Sequence, residues 1–296
     1  MYDIIIIGGG PAGLTAALYA LRAEKKVLVL EGSGFGGQIV YTQKVENFPG
    51  TLSMSGAEFA DKLVEQVLAI GGEVEFEKVV SIKDGENKTV ITDSGEYTAK
   101  SIIISTGVKN RPLGIDGEKE LIVRGISFCA VCDGAFYKGK TVAVIGGGNT
   151  AVEDAIYLSA LAEKVYLVHR RQEFRAEPRL IKELKEKENI ELVLDSTVSA
   201  LLKEEKLNGI EVTNKVTLEK REISVDGVFV AIGQVPQNKI FEGIVALDEY
   251  GYIIAGEDCK TSAEGIFAAG DCRTKSVRQL TTAVSDGTVA AIAAGM

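Results

Sequence analysis

Two stretches of the chain repeat one pattern of apolar and polar positions. Ile4-Ile-Ile-Ile7 is an unbroken apolar run that ends in Gly8-Gly-Gly10, and Val142-Ala-Val-Ile145 ends in Gly146-Gly-Gly148. Runs this short and apolar, ended by glycine, predict strands that lead into a glycine turn. Pro11-Ala-Gly13 and Asn149-Thr-Ala151 then predict helix starts, with a second apolar strand after each helix. Those second strands are Val27-Leu-Val-Leu30, closed by Glu31, and Val165-Tyr-Leu-Val168, closed by His169. Glu31 follows Gly8 by 23 positions, and His169 follows Gly146 by the same 23. Each copy closes on another apolar strand and glycine, Ser101-Ile-Ile-Ile-Ser-Thr-Gly107 and Val228-Phe-Val-Ala-Ile-Gly233. One βαβ domain has therefore been written twice. Residues 71–99 and 190–224, which precede the closing strands, alternate apolar and polar positions and predict β-meanders, with turns at Asp84-Gly85 and Asn208-Gly209.

The glycines give the repeat a chemistry. Gly8, Gly10 and Gly13, and then Gly146, Gly148 and Ala151, fall where a dinucleotide-binding turn needs a tight bend, a bare backbone beside a pyrophosphate, and close helix–strand packing. Two nucleotides are implied, one per copy. Position 31 faces the adenine ribose in this register, and the Glu31 carboxylate suits the 2'-hydroxyl of FAD or NAD. The second copy reads His169-Arg170-Arg171-Gln-Glu-Phe-Arg175 there instead. Three guanidiniums so close can fork onto a 2'-phosphate, which a carboxylate would repel, and this argues for NADPH. The alternative is a solvated basic lead-in to the helix expected from Glu177 to Lys187.

With 296 residues and 46% apolar composition the chain has the material for two cores, and its net charge of -9 argues against a nucleic-acid partner. The N-terminal apolar run is strand length, short of a membrane span and without a basic leader, so a cytoplasmic protein is expected. Thiols stay reduced in that compartment, which makes Cys129-Ala-Val-Cys132 a catalytic or metal-binding pair rather than a structural one. A zinc site wants four ligands. Beyond the pair the chain offers only Cys259, Cys272 and His169, at the wrong spacing, so no metal is expected. Cys259 and Cys272 read as small buried hydrophobes.

These motifs together resemble the low-molecular-weight, bacterial-type thioredoxin reductases, and the resemblance spans essentially the whole chain. It rests on Cys129-Ala-Val-Cys132-Asp133-Gly134, on the second glycine turn with His169-Arg-Arg171 and Phe174-Arg175, and on the loops Gly36-Gly-Gln38 and Val45-Glu-Asn-Phe-Pro-Gly50. Gly265-Ile-Phe-Ala-Ala-Gly-Asp271 with Arg278-Gln279 completes it. The resemblance implies an α/β protein of two three-layer, Rossmann-like dinucleotide-binding domains, each with a β-meander, one inserted in the other. The FAD domain would comprise residues 1–112 plus 238–296, with the NADPH domain at 113–237 and crossings in the Gly/Pro/Asn-rich segments Thr106–Pro112 and Gly233–Asn238. FAD would lie on Gly8, Gly10, Pro11, Ala12, Gly13, Glu31, Gly32, Gly37, Gln38, Asn47, Thr106, Gly107, Gly270, Asp271, Arg278, Gln279 and Leu280. NADPH would lie on Gly148, Asn149, Thr150, His169, Arg170, Arg171 and Arg175. Family members are homodimers joined through their FAD domains. They usually continue the last helix beyond the point where this chain reaches Gly295-Met296.

The activity implied is transfer of electrons from NADPH through FAD and the Cys129–Cys132 disulfide to thioredoxin. Cys132 would be the sulfur near the flavin and Cys129 the interchange thiol. Asp133 would manage the proton, or else cap the next turn, because the only histidine is taken up by the NADPH motif. Phe136 would touch the partner or pack as a turn aromatic. Since Cys132 precedes Gly146 by 14 residues, disulfide and nicotinamide ride on one inserted domain and should reach the flavin alternately, by rotation about the two crossings. Rival readings are a related reductase serving a glutaredoxin-like or peroxiredoxin-linked protein, a ferredoxin-fed flavin reductase, and a non-enzymatic flavoprotein sensor.

Overall fold

The computed structural model describes every residue except Gln43, Val123 and Met296, so the chain's close at Met296 lies outside the description. It divides into two compact units, Met1–Lys109 with Val235–Met296, and Asn110–Gln234.

In the first unit a parallel sheet runs Glu73–Glu75, Val27–Leu30, Tyr2–Ile7, Glu96–Ile104, Ile266–Ala268. Strict alternation assigns its apolar side chains to two cores. Ile4, Ile6, Val27, Val29 and Ile103 face the helices Pro11–Arg22, Gly56–Ala69 and Leu280–Gly295. Ile5, Ile7, Leu28, Leu30, Ile102 and Ile104 face the opposite layer, which includes the antiparallel meander Val79–Lys83, Lys88–Thr92 and the start of Glu96–Ile104. Strands with both faces covered read as continuous isoleucine, valine and leucine, which is why both repeats stand out in the sequence.

The second unit repeats the plan. Its parallel sheet runs Ile190–Val193, Lys164–Val168, Thr141–Gly146, Gly227–Ala231, Ile126–Ser127. Val142, Val144, Val165, Leu167 and Phe229 pack on the helices Asn149–Ser159 and Pro178–Lys185, while Ala143, Ile145, Val168, Val228 and Val230 pack on the meander Ser196–Lys203, Leu207–Asn214, Lys220–Ser224. The α/β class with paired Rossmann-like folds and meanders is thus observed. One turn is corrected. Asn208-Gly209 lies inside the strand Leu207–Asn214, and the chain reverses earlier, over Glu204–Lys206. Gly209 serves packing instead, because a Cβ there would sit 2.9 Å from the Ile223 carbonyl oxygen.

Candidate active site

The first glycine turn is shaped by close backbone approach. Gly8 has φ +109°, and a Cβ on it would meet the Ser105 carbonyl oxygen at 2.4 Å; one on Gly13 would meet the Gly8 carbonyl oxygen at 2.0 Å. Any side chain at these two positions would therefore force the turn open. Gly10 caps the helix Pro11–Arg22, whose first turn has no acidic residue and no side-chain cap. Its Cβ direction is open to 4.0 Å, so amide donors and the helix dipole face free space that a pyrophosphate fits. Ala12 is buried, and it sets the approach of Gly270, whose own Cβ would come within 2.9 Å of it.

Glu31 stands at the end of its strand, with its carboxylate already holding backbone. Oε2 accepts from the Gly9 amide at 2.8 Å, and Oε1 accepts from Ser33 and Gly34 at 2.6 and 3.1 Å. Oε2 keeps one lone pair, enough for a single ribose hydroxyl. Gly32 follows it, close enough to Lys78 that a Cβ would come within 3.0 Å of that residue's Cα. The Gly37–Tyr41 turn begins with Gly37 and Gln38, and Asn47 Nδ2 reaches Gln279 Oε1 at 3.5 Å, which brings two distant motif residues together. Thr106 donates to Asn238 Oδ1 at 3.1 Å beside Gly107, and Arg278 lies 4.3 Å over the Tyr252 ring. Asp271 is the clearest cofactor signal. Its Oδ1 is buried with no hydrogen-bond partner among the described residues, and burial raises its pKa against Lys275 and Arg278. A buried acceptor of this kind fits the hydroxyl of a bound polyol, so the residues present suit a flavin with its ribityl chain.

Beneath that motif lies a charged core that the sequence reading missed. Arg273, 1% exposed, forks onto Asp286 with Nε and a terminal nitrogen both at 2.8 Å. Lys275 and the Gly270 amide each donate to Asp286 Oδ2 at 2.9 Å. Burial pushes the Asp286 carboxyl up, but Arg273 and Lys275 outweigh it and hold it below the usual range. The Gly270–Cys272 turn is thereby anchored to the helix Leu280–Gly295, which Leu280 opens.

The second turn is built likewise, with Gly148 capping Asn149–Ser159 and open space where its Cβ would point. Asn149 and Glu177 bond reciprocally, at 3.1 Å through Asn149 Nδ2 and at 2.9 Å through the Glu177 amide, and Thr150 is exposed in the first turn. His169 is buried, stacked on Phe174 at 5.2 Å with an interplanar angle of 18°. Burial, with the Arg170 and Arg171 charges, lowers its pKa, so the imidazole is neutral at physiological pH and the cations are the arginines. Arg170, Arg171 and Arg175 are exposed and form no ion pair among the described residues. The Arg175 amide bonds to the Gly147 carbonyl at 2.7 Å, which ties the basic loop to the glycine turn. A cluster of unpaired guanidiniums beside an open helix end fits a nucleotide carrying an extra phosphate.

In the same unit Cys129 and Cys132 form a disulfide, with Cα atoms 5.3 Å apart, across the single helical turn Ala130–Asp133. Cys129 caps this turn, and its Sγ accepts from the Cys132 amide at 3.2 Å. An amide aimed at that sulfur favours its thiolate. Ala130 buries itself with Ala151, Val152, Ala155 and Leu158 of the second-repeat helix, so disulfide and glycine turn share one support. Asp133 makes no cap bond; its Oδ2 accepts from Ser127 Oγ at 2.6 Å while Oδ1 is buried without a partner among the described residues. Burial raises its pKa, with the Ser127 bond opposing. Phe136 is partly exposed in the following turn. Cys259 and Cys272 are free and fully buried, their thiols donating to backbone carbonyls.

Two dinucleotide turns and a redox disulfide define the class, a nucleotide-dependent disulfide oxidoreductase. The profile of the family described as pyridine nucleotide-disulphide oxidoreductase matches residues 2–287. Thioredoxin reductase of Bacillus subtilis (strain 168) is 44% identical over 293 residues, covering 98% of this chain and 93% of that protein. Thioredoxin reductase of Listeria monocytogenes is 44% identical over 292 residues, covering 98% and 92%. The crystal structure of thioredoxin reductase from Streptococcus pyogenes MGAS5005 superposes with a TM-score of 0.95 at 40% identity, covering 99% of this chain and 97% of that one. The chain belongs to the pyridine nucleotide-disulphide oxidoreductases, among the thioredoxin reductases, and it is an FAD-dependent oxidoreductase that uses NADPH. The glutaredoxin-like, peroxiredoxin-linked and ferredoxin-fed alternatives are not favoured. No helix among the described residues is long and apolar enough to cross a membrane.

Proposed function

We propose that the chain is a cytoplasmic, homodimeric thioredoxin reductase, with FAD on the Met1–Lys109/Val235–Met296 unit and NADPH on Asn110–Gln234. The observation that carries this reading is the Cys129–Cys132 disulfide on the same helix support as the second glycine turn. Bound together, the two nucleotides supply hydride transfer and a flavin that relays an electron pair. The protein's residues do the rest. Arg170, Arg171 and Arg175 hold the 2'-phosphate, and the bare amides after Gly148 hold the pyrophosphate. Glu31 holds the ribose and Asp271 the ribityl chain, with Asn47, Arg278 and Gln279 beside the ring.

Reduction of the disulfide consumes two electrons and one proton and leaves one thiol and one thiolate. The Cys132 amide stabilises the Cys129 thiolate, which attacks a thioredoxin sulfur and forms a mixed disulfide. Asp133 gives a proton to the departing thioredoxin thiolate and takes one from Cys132 as that sulfur displaces the second. A ribbon of Val108–Asn110 and Gln234–Pro236 forms the link on which the NADPH unit turns between these steps. The test is turnover of purified flavoprotein with NADPH and thioredoxin, glutaredoxin or a peroxiredoxin-linked protein in parallel. Thioredoxin should be reduced fastest; preference for another partner refutes the assignment.

A further inference from the structure

Ser127 ends the short strand Ile126–Ser127, held in register by pairing with Phe229, and is 5% exposed. Its hydroxyl is bonded on both sides. It accepts from the Cys129 amide at 3.1 Å and lies 2.6 Å from Asp133 Oδ2, against 3.4 Å for the Cys129 carbonyl. A hydroxyl has one proton to give, and the shorter contact to a carboxylate takes it. The resulting chain runs from the interchange cysteine's amide through Ser127 to one oxygen of the acid, each bond polarising the next. Oδ1, the other oxygen, is left buried and free of partners among the described residues.

We propose that Ser127 is a positioning residue for disulfide exchange: by pinning Oδ2 of Asp133 to the backbone of Cys129, it dedicates Oδ1 to the proton that the exchange delivers and recovers. The proposal rests on the acid role of Asp133 given above. The proton balance is unchanged, since Ser127 keeps its own hydrogen and Asp133 loses and regains one per turnover. Because the hydroxyl donates to the ionised carboxylate, it favours that form against burial. Its removal therefore raises the Asp133 pKa, and the protonated form survives to higher pH. Other titratable groups around this turn are Tyr137 in the following turn Gly134–Tyr137 and Asp226 beside Tyr137, with Glu153, Asp154 and Tyr157 on the packed helix. None of them replaces the Ser127 bond.

The experiment is the pH dependence of thioredoxin reduction by the NADPH-reduced holoenzyme as Ser127→Ala, Ser127→Thr and Asp133→Asn, with retained flavin as the check that each variant is folded. In Ser127→Ala the alkaline fall in rate should move up by about one pH unit, the size of one lost charge-assisted hydrogen bond. Ser127→Thr, which keeps the hydroxyl, should restore the original profile, and Asp133→Asn should abolish the inflection. If Asp133→Asn abolishes it while Ser127→Ala leaves it in place, the inference about Ser127 is overturned and the acid role stands. An inflection that survives Asp133→Asn overturns both.

Discussion

The NADPH preference can be put to a quantitative test by truncating Arg170 and Arg171 together. Both are exposed, neither forms an ion pair among the described residues, and both follow the neutral His169, so together with Arg175 they carry the positive charge of that strand end. A hydrogen bond to a charged partner contributes about 1.5–3 kcal/mol, which sets an upper range of about 3–6 kcal/mol for the pair. Solvent exposure reduces this considerably, since surface charge pairs return a fraction of the buried value. Arg175 also remains, tied through its amide to Gly147. Arg170→Ala with Arg171→Ala should therefore raise the KM for NADPH at least about tenfold, equivalent to about 1.4 kcal/mol. The KM for NADH, which has no 2'-phosphate, should hardly move. The assay is steady-state reduction at varied NADPH and NADH, with and without 0.5 M salt, which should shrink the difference. Equal use of both coenzymes by the unmodified protein, or equal losses in the double variant, refutes the reasoning.

Other expectations follow from single sites. Cys129→Ser and Cys132→Ser should each abolish thioredoxin reduction while NADPH still bleaches the bound flavin in stopped-flow absorbance; full turnover by either removes the pair from the relay. Asp286→Asn leaves the buried Lys275 without its carboxylate and Arg273 with only the exposed Glu257, and should destabilise the protein by about 3–5 kcal/mol in denaturant titrations. Because the Asp286 carboxyl is held below its ordinary range, its contribution is complete at neutral pH and fades only as the pH falls below the ordinary carboxylate range and through that lowered value. A denaturation midpoint within error of the parent's contradicts this. Gly13→Ala, with its Cβ 2.0 Å from the Gly8 carbonyl oxygen, should purify without flavin; a yellow protein of normal stability refutes the close-approach argument.

The repeated domain was legible because the central strands of its sheets are covered on both faces, and its boundaries are glycines that the turn requires. The same physics hid other parts. Asn208-Gly209 has the residues of a turn, yet the glycine is there because a neighbouring strand's carbonyl leaves no room for a Cβ. Asp286 belongs to no motif of the sequence; only the approach of Arg273 and Lys275 from another segment shows it to be a buried, paired charge. Ser127 carries no spacing signal at all, since its meaning lies in a hydrogen bond six residues along that forms when Cys129–Asp133 winds into one helical turn. The register of Glu31 predicts a ribose ligand, and spacing gives no sign that its carboxylate accepts from the amides of Gly9, Ser33 and Gly34. Periodicity reports elements and their covered faces; it does not report which polar side chains meet across them.

The relay itself is tested most directly by anaerobic titration of the purified protein with NADPH, followed by visible absorbance and counting of free thiols. A flavin and a disulfide in series each accept an electron pair, so the parent protein should take up about two NADPH per flavin, and Cys132→Ser about one. Two new thiols should appear in the parent protein as the flavin bleaches. A colourless protein, or one NADPH per flavin with no thiols formed, contradicts the account.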